Sequence, residues 1–535
     1  MSIYDCLRYR LLLNGGDEWL VVKGSLTGIQ RFIYDVKSES ALRNLRGRSY
    51  YLTLLLDAVV ECLLNHFGLT HTSVLYNSGG TFCLFIPYED DTVNRFDGIA
   101  RKISQRVFDY HNEQMVLLNA IHTTRQILET DFGAVMSELQ RQKNRDKYTP
   151  LRNFDIKLCI KLFSPTTPRE RSSAQYIAIG GALPQTECVA ICNRPQPNCD
   201  CFVEPGGLGL FYHLATLQEA KKFSGDIRSL IVYNDNSTPI GDFPIRREYM
   251  AGCGTRVQSF EDLVGRYTEL KRLGVLRMDV DNLGHIFRVI DNGASAVSRY
   301  GKMSRRLDIF FKKELNAIWS EKYKDSAVII YSGGDDLFIA GAWISVLRMA
   351  QTIQEQFAKA FCDTGIGISG GIVLVTEKYP IVRAAELSVE EEELAKGFEH
   401  RTNSKNSLSV FGIPMRWNIE LREACQTSET LAYLINNGNL DKSIVSRLLR
   451  YYENVRFRDG QVTTPRYIWL ISYDLSRLAK RTNDKRGRDF INQCITDITT
   501  GKTIGGNVID SPYHPLQLLS VAVRFAELEL RTNNK

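Results

Sequence analysis

The chain is doubled within itself, and no other feature restricts its folding so tightly. WLVVKGSLTGIQ (19–30) and SVLYNSGGTFCLFIP (73–87) are echoed by LGVLRMDVDNLG (273–284) and AVIIYSGGDDLFIAG (327–341). Each is an apolar, β-branched run closed by a turn signal. Asp279 and Gly333 stand 54 positions apart, as do Ser25 and Gly79, and the copies are offset by 254. A helical pattern fills each gap: SYYLTLLLDAVVECLLNHFG (49–68) in the first copy and KMSRRLDIFFKKELNAIW (302–319) in the second. Duplication explains that matched spacing better than chance does.

The second copy continues with a helical face over 343–361, a strand over 365–375, a helix with an acidic outer face over 379–396 and a short strand over 407–412. The order β-α-β-β-α-β predicts an α+β protein with two ferredoxin-like units, each an antiparallel sheet covered by helices on one side. The chain has 535 residues, which at about 100–200 residues per domain suggests roughly three to five domains. The expected division is a first unit over 1–150, an irregular cysteine-rich linker over 151–262, a second unit over 263–420 and a small helical bundle over 421–535. Hydrophobic residues are 44% and charged residues 24%, enough apolar surface to offset chain entropy and exclude disorder as the main state. No run approaches the roughly 18 uncharged apolar residues of a membrane span, and the start does not read as a signal peptide.

Four aspartates carry the chemistry. Asp279 and Asp281 end the first strand of the second copy and share a face, because side chains alternate with period two. Asp335 and Asp336 follow the Gly333–Gly334 turn. Carboxylates held this close are costly unless cations offset them. Two divalent ions, Mg²⁺ or Mn²⁺, would do so and would serve phosphoryl or nucleotidyl transfer from a triphosphate. Gly333 and Gly334 let the backbone approach phosphate without a Cβ in the way. The alternative is a hairpin with Asp-rich turn chemistry, which leaves the acids on the adjacent strand unexplained. Lys396 and Lys405 are candidates for β- and γ-phosphate binding; Lys396 equally suits a helix C-terminus. In the first copy Ser25 and Thr27 replace the strand acids, and Thr81 and Phe82 replace the acidic pair, while Gly79–Gly80 persists. The expectation is one active and one degenerate unit, the latter holding a second nucleotide.

Cys188, Cys192, Cys199 and Cys201 form C-x3-C-x6-C-x-C. Four thiolates suit a structural Zn²⁺, although the spacing departs from paired C-x2-C motifs, and free thiols or a redox pair stay open. The other eight cysteines are scattered singly and predict buried thiols in a reducing cytoplasm. Net charge is +6, and basic clusters at Arg43–Arg48, Arg141–Lys147 and Arg477–Arg488 make a polyanion partner plausible, although each alone suits a solvated face.

VVKGSLTGIQRFIY with LRNLRGRSYYLTLLL closely resembles the first palm of the large polymerase-like subunit of type III CRISPR effector complexes, of the Csm rather than the Cmr type. GVLRMDVDNLGHIF and YSGGDDLFIAG resemble that subunit's second palm, which is related to GGDEF cyclases, and AAELSVEEEELAK with Lys405–Asn406 resembles the closing helix and loop. The resemblance covers nearly the whole chain, including a cysteine zinc module between the palms. It implies that Asp335 and Asp336 are the catalytic acidic pair and Asp279 the first-strand metal ligand. It also implies a cytoplasmic ribonucleoprotein containing CRISPR RNA and further subunits, in which target RNA switches on conversion of ATP to oligoadenylate messengers, usually cyclic, or to a related adenylyl product. Many members begin with an HD nuclease domain. This sequence starts at the first palm and its eight histidines form no His-Asp dipeptide, so HD-type DNase activity is not expected. Two competing readings are a non-catalytic scaffold subunit of the same complex and a free-standing diguanylate cyclase.

Overall fold

The computed structural model describes residues 16–36, 40–113, 115–149, 173–196, 199–223, 227–235, 244–252, 255, 257, 259–265, 271–290, 296–401, 403–458, 461–501, 503–504, 507–508 and 510–531. Cys6, Cys159 and Cys253 lie outside them. The first copy folds as β1 (Glu18–Leu26), α1 (Ala41–Phe67), β2 (Val74–Ser78), β3 (Thr81–Pro87), α2 (Thr92–His111) and β4 (Val116–Thr124). Its sheet order, β2-β3-β1-β4, is the one a split βαβ unit gives. β1 is central and nearly continuous in apolar character, with Val21 and Val22 fully buried, as a strand with neighbours on both sides requires. α1 has 27 residues, a rod of about 40 Å, closed by Gly68 in the left-handed conformation.

Within the segment read as irregular, described residues form a sheet. β5 (Cys188–Cys192), β6 (Phe202–Val203), β7 (Phe211–Ala215), β8 (Ile227–Tyr233) and β9 (Ile245–Glu248) make a five-stranded sheet ordered β6-β7-β5-β8-β9. Its strands are short and the sequence between them carries prolines and glycines, so their period-two signal stays below that of the duplicated strands.

The second copy runs β10 (Arg272–Val280), α3 (Ala296–Ile309), a π turn (Phe310–Glu314), α4 (Leu315–Lys322), β11 (Ala327–Gly333), β12 (Asp336–Ala342), α5 (Trp343–Ala360), β13 (Ile368–Thr376) and α6 (Ile381–Lys396). Short β14 (Glu399–His400) and β15 (Asn403–Ser404) lead to β16 (Ser407–Val410) and β17 (Ile413–Arg416), and the strand order is β11-β12-β10-β13-β16-β17. The first four repeat the order of the first copy. β16 and β17 extend the sheet, with β16 parallel to β13. The helical end holds α7 (Arg422–Asn436), α8 (Ser443–Asn454), α9 (Pro465–Arg481), α10 (Lys485–Thr500) and α11 (Pro515–Leu530) around a core that includes Leu431, Leu448, Leu475, Ile491 and Val523.

The chain divides into two compact units. One comprises 1–260, 282–339 and 380–382; the other comprises 261–281, 340–379 and 383–535. β12 passes from the first into the second. In the first unit a buried ion-pair cluster fastens the linker sheet to α1. Arg246 of β9 donates to both carboxylate oxygens of Asp57, each at 2.8 Å, and Tyr212 of β7 donates to the same group at 2.9 Å. Glu61, one helical turn on, accepts from His71 at 2.7 Å and lies 3.7 Å from Arg246. Among the described residues no helix is long and apolar enough to cross a membrane.

Candidate functional site

In the first unit the two glycine turns meet. Gly79 and Gly334 have φ of 61° and 64°, a region open to glycine at little cost. A Cβ built on Gly334 would lie 2.9 Å from the Gly79 Cα, and one on Gly79 would lie 3.2 Å from the Gly334 Cα. The glycines therefore serve first to let two hairpins pack backbone against backbone, a role different from the approach to phosphate read in the sequence. The helix with the π turn holds both hairpins. Asp308 of α3 accepts from Ser78 Oγ at 2.7 Å and from Lys312 Nζ at 2.8 Å. Ser332 Oγ donates at 2.6 Å to the Phe311 carbonyl, within the π turn; such turns are frequent at functional sites.

A cavity of about 200 Å³ opens beside these turns. Ser78, Gly79, Gly80, Gly333, Asp335, Asp336 and Lys312 line one part, and Leu26, Ile29, Leu52 and Leu56 another. Polar backbone turns and a cation beside an apolar wall form a pocket with the two characters a nucleotide presents. Asp336 opens β12 and accepts from the Tyr331 hydroxyl at 3.2 Å. At the positions that match the acids, Ser25 is buried and pairs in register with Thr81, and Phe82 is fully buried. Gly334→Ala should cost about 1–2 kcal/mol from the left-handed backbone alone, before its contact with Gly79. Gly98→Ala, on α2 with open space around it, should be neutral or stabilising by up to about 1 kcal/mol. Thermal unfolding of the two variants checks this, and equal melting temperatures would refute the packing role of Gly334.

In the second unit Asp279 and Asp281 are already engaged. Arg277 and Asp279 point to one side of β10 by strand alternation. Glu392 and Lys396 share one side of α6 by i,i+4 spacing. The four form a continuous chain: Arg277 Nε to Glu392 at 2.8 Å, Glu392 to Lys396 at 2.6 Å and Lys396 to Asp279 at 2.5 Å. Gly371, opposite Arg277 in the β10–β13 register, makes the docking possible, because a Cβ there would lie 2.3 Å from the Glu392 nitrogen. Asp281 is 4% exposed. Its Oδ2 accepts from Ser369 Oγ and from the Asn406 backbone N–H, both at 2.9 Å. Consecutive left-handed residues Lys405 and Asn406, φ 59° and 44°, aim that N–H.

The carboxylates of Asp279 and Asp281 thus have partners that the spacing did not show: Lys396 for the first, and two hydrogen-bond donors for the second. Lys396 in turn pairs with both Asp279 and Glu392. Burial raises the Asp279 carboxyl above the usual range, and Lys396 only partly opposes it. Burial likewise raises Asp281 against the pull of Ser369 and Asn406. For Lys396, burial pulls downward, but Asp279 and Glu392 outweigh it and the ammonium is held above its ordinary value. Among the described residues no three His, Cys, Asp or Glu side chains stand in a metal-holding group. The donor chemistry at Asp281 nevertheless fits a hard cation: its Oδ1 is buried without a hydrogen-bond partner, an arrangement that disfavours the charged form unless a cation arrives. Glu392, Arg277, Ser369 and Asn406 were not singled out as site residues from sequence. The i,i+4 Glu–Lys pair was the one signal that could have found Glu392.

The four-thiol zinc centre is not assembled either. Cys188 and Cys192 face the core of their sheet with Ala190. Cys188 Sγ donates to the Ala215 and Thr216 carbonyls at 3.5 and 3.6 Å, and Cys199 Sγ to the Cys201 and Leu214 carbonyls at 3.3 and 3.6 Å. Burial pushes Cys188 up to about 12 and Cys201 to about 11.

The described chain thus carries two repeated units, each with a glycine hairpin and one with an acidic pair after it, and known proteins share this arrangement. Residues 272–409 match the Cas10/Cmr2 second palm domain, and residues 18–165 match Csm1 subunit domain B. Both matched segments make the chain similar to Cas10/Csm1 proteins. The Cas10/Csm1 single-strand-specific deoxyribonuclease of Enterococcus italicus, subtype III-A, is 27% identical over 490 residues, covering 85% of this chain and 62% of that protein. The chain thus spans about three-fifths of the length of that relative. The crystal structure of an apo Csm1–Csm4 cassette superposes with a TM-score of 0.77 at 21% identity, covering 99% of this chain and 75% of that one. Csm1–Csm4 cassettes in complex with one ATP and with cA4 superpose at 0.69 and 0.71, each at 20% identity and covering 99% of this chain and 74% of theirs. At that identity the likeness is one of fold.

Proposed function

We propose that the chain is the nucleotidyltransferase subunit of a type III-A CRISPR effector complex, converting ATP to oligoadenylate, cyclic or otherwise adenylyl-linked, when CRISPR RNA in the complex pairs with target RNA. The observation that carries this reading is the cavity beside the paired glycine turns, with Asp335, Asp336 and Lys312 among its lining. The ATP and cA4 complexes of similarly folded cassettes support it. In the first unit Asp335 and Asp336 would hold Mg²⁺ or Mn²⁺, and in the second Asp279 and Asp281 would be metal ligands. When bound, such ions neutralise triphosphate charge and make an acceptor hydroxyl more acidic. The hairpins bearing Gly79–Gly80 and Gly333–Gly334 set the width of the phosphate end of the cavity. Lys396 holds Asp279 against the burial that favours its neutral form, and its ammonium, positive at neutral pH, can exchange carboxylate for phosphate oxygens without a proton moving.

The test is mass spectrometry of the products formed by the assembled complex from ATP and Mg²⁺, with and without target RNA. Oligoadenylates dependent on target RNA are expected, and their loss on chelation of divalent ions. Unconsumed ATP under all conditions would overturn the reading.

A further inference from the structure

The helical end of the chain carries a surface for which the nucleotidyl-transfer reading has no use. α9 is amphipathic in an unusual sense. Its inner side packs Ile471, Leu475 and Ala479 into the bundle core. At 100° per residue its outer arc reads Arg466, Trp469, Leu470, Tyr473, Arg477, Lys480, Arg481, and every one of these is exposed. Trp469 is 74% exposed and Tyr473 65%, well beyond what a monomer's scattered surface aromatics require. The stripe from Arg466 to Arg481 is about 22 Å long. It holds four cations and no carboxylate. Asp474, at its edge, is turned to Arg447 and Tyr451 of α8. The Arg477 guanidinium lies over the Tyr473 ring, 5.8 Å from its centre.

We propose that the outer face of α9 binds single-stranded RNA, with bases stacked on Trp469 and Tyr473 and phosphates along Arg466, Arg477, Lys480 and Arg481. Flat rings alternating with cations are what a single strand needs, since every base has a stackable face and every link a charge. A protein partner would be met by a rim of mixed charge, whereas this arc is of one sign. A duplex would hide its bases from both rings.

The chain supplies its own reporter. Of its five tryptophans, Trp19, Trp319, Trp343 and Trp417 are buried and only Trp469 is exposed, so acrylamide quenching of the full chain reads Trp469. A uridine oligomer of about 16 nucleotides, the upper site size of single-strand binders, should protect Trp469 from acrylamide. Trp469→Ala and Tyr473→Ala should each weaken binding by at least about fivefold in anisotropy titrations, and Trp469→Phe should restore most of it. Arg466→Gln with Arg477→Gln should reduce the slope of log K against log salt by about 1.4, two contacts at about 0.7 each. Quenching unchanged at saturating RNA, tighter binding of the matching thymidine DNA, or protection of Trp469 by a partner subunit and not by RNA would each overturn the proposal. Product synthesis is not read in this experiment, so its outcome and that of the catalytic reading are separable.

Discussion

Replacing Asp335 and Asp336 together with alanine will reduce product formation from ATP by more than about a hundredfold, because loss of direct ligands should exceed the 10–100-fold cost of losing their supporting partners. The two acids stand at the mouth of the turn where β11 passes to β12. They are only partly buried, so the fold does not depend on them and melting should change little. Tyr331→Phe removes the hydroxyl that donates to Asp336 and should lose roughly tenfold, as an orienting partner does. The measurement is the initial rate of adenylyl product in the assembled complex with target RNA. Undiminished product from the double variant would leave the chain a scaffold and end the catalytic reading.

Arg246→Ala will lower the stability of the first unit by about 3–5 kcal/mol, the cost of stranding a buried charge when its partner is removed. Asp57 would lose both guanidinium bonds and keep only Tyr212. In the native protein burial pushes the Asp57 carboxyl up, but Arg246 overrides it and the net value is lowered. A carboxylate with a lowered folded value contributes stability that is present above its unfolded value, near 3.9, and is lost as pH falls through the folded value. The native protein should therefore lose this contribution only below about pH 4. In the variant burial acts unopposed and the carboxyl takes up a proton more readily, so the difference between the two proteins should narrow as pH falls from 7 towards 4. Thermal unfolding across that range checks both size and sign. A variant that melts with the native protein at neutral pH would show that the cluster fastens nothing.

Both glycine turns and the repeated strand order of the two copies were legible, because each rests on local spacing that the fold preserves. The five-stranded linker sheet was not. Cys188–Cys192 reads as a possible ligand pair precursor as readily as a buried strand, since a thiol suits both, and only its neighbours decide. The fates of Asp279, Asp281 and Lys396 were half legible. Strand alternation and helix spacing put the right residues on the right faces, but nothing local says that Gly371 admits α6 close enough for Lys396 to reach Asp279.

By itself the sequence determined which residues repeat, which copy carries acids and where strands and helices alternate, because these follow from chain periodicity and residue chemistry within short windows. The tertiary structure alone decided that the glycines meet each other, that the lysine pairs with a carboxylate, that two of the clustered thiols are buried in a sheet and that one helix shows its rings to water. Those outcomes depend on which distant surfaces come within a few ångströms, and on the dielectric they create there, neither of which is encoded in any single stretch of chain.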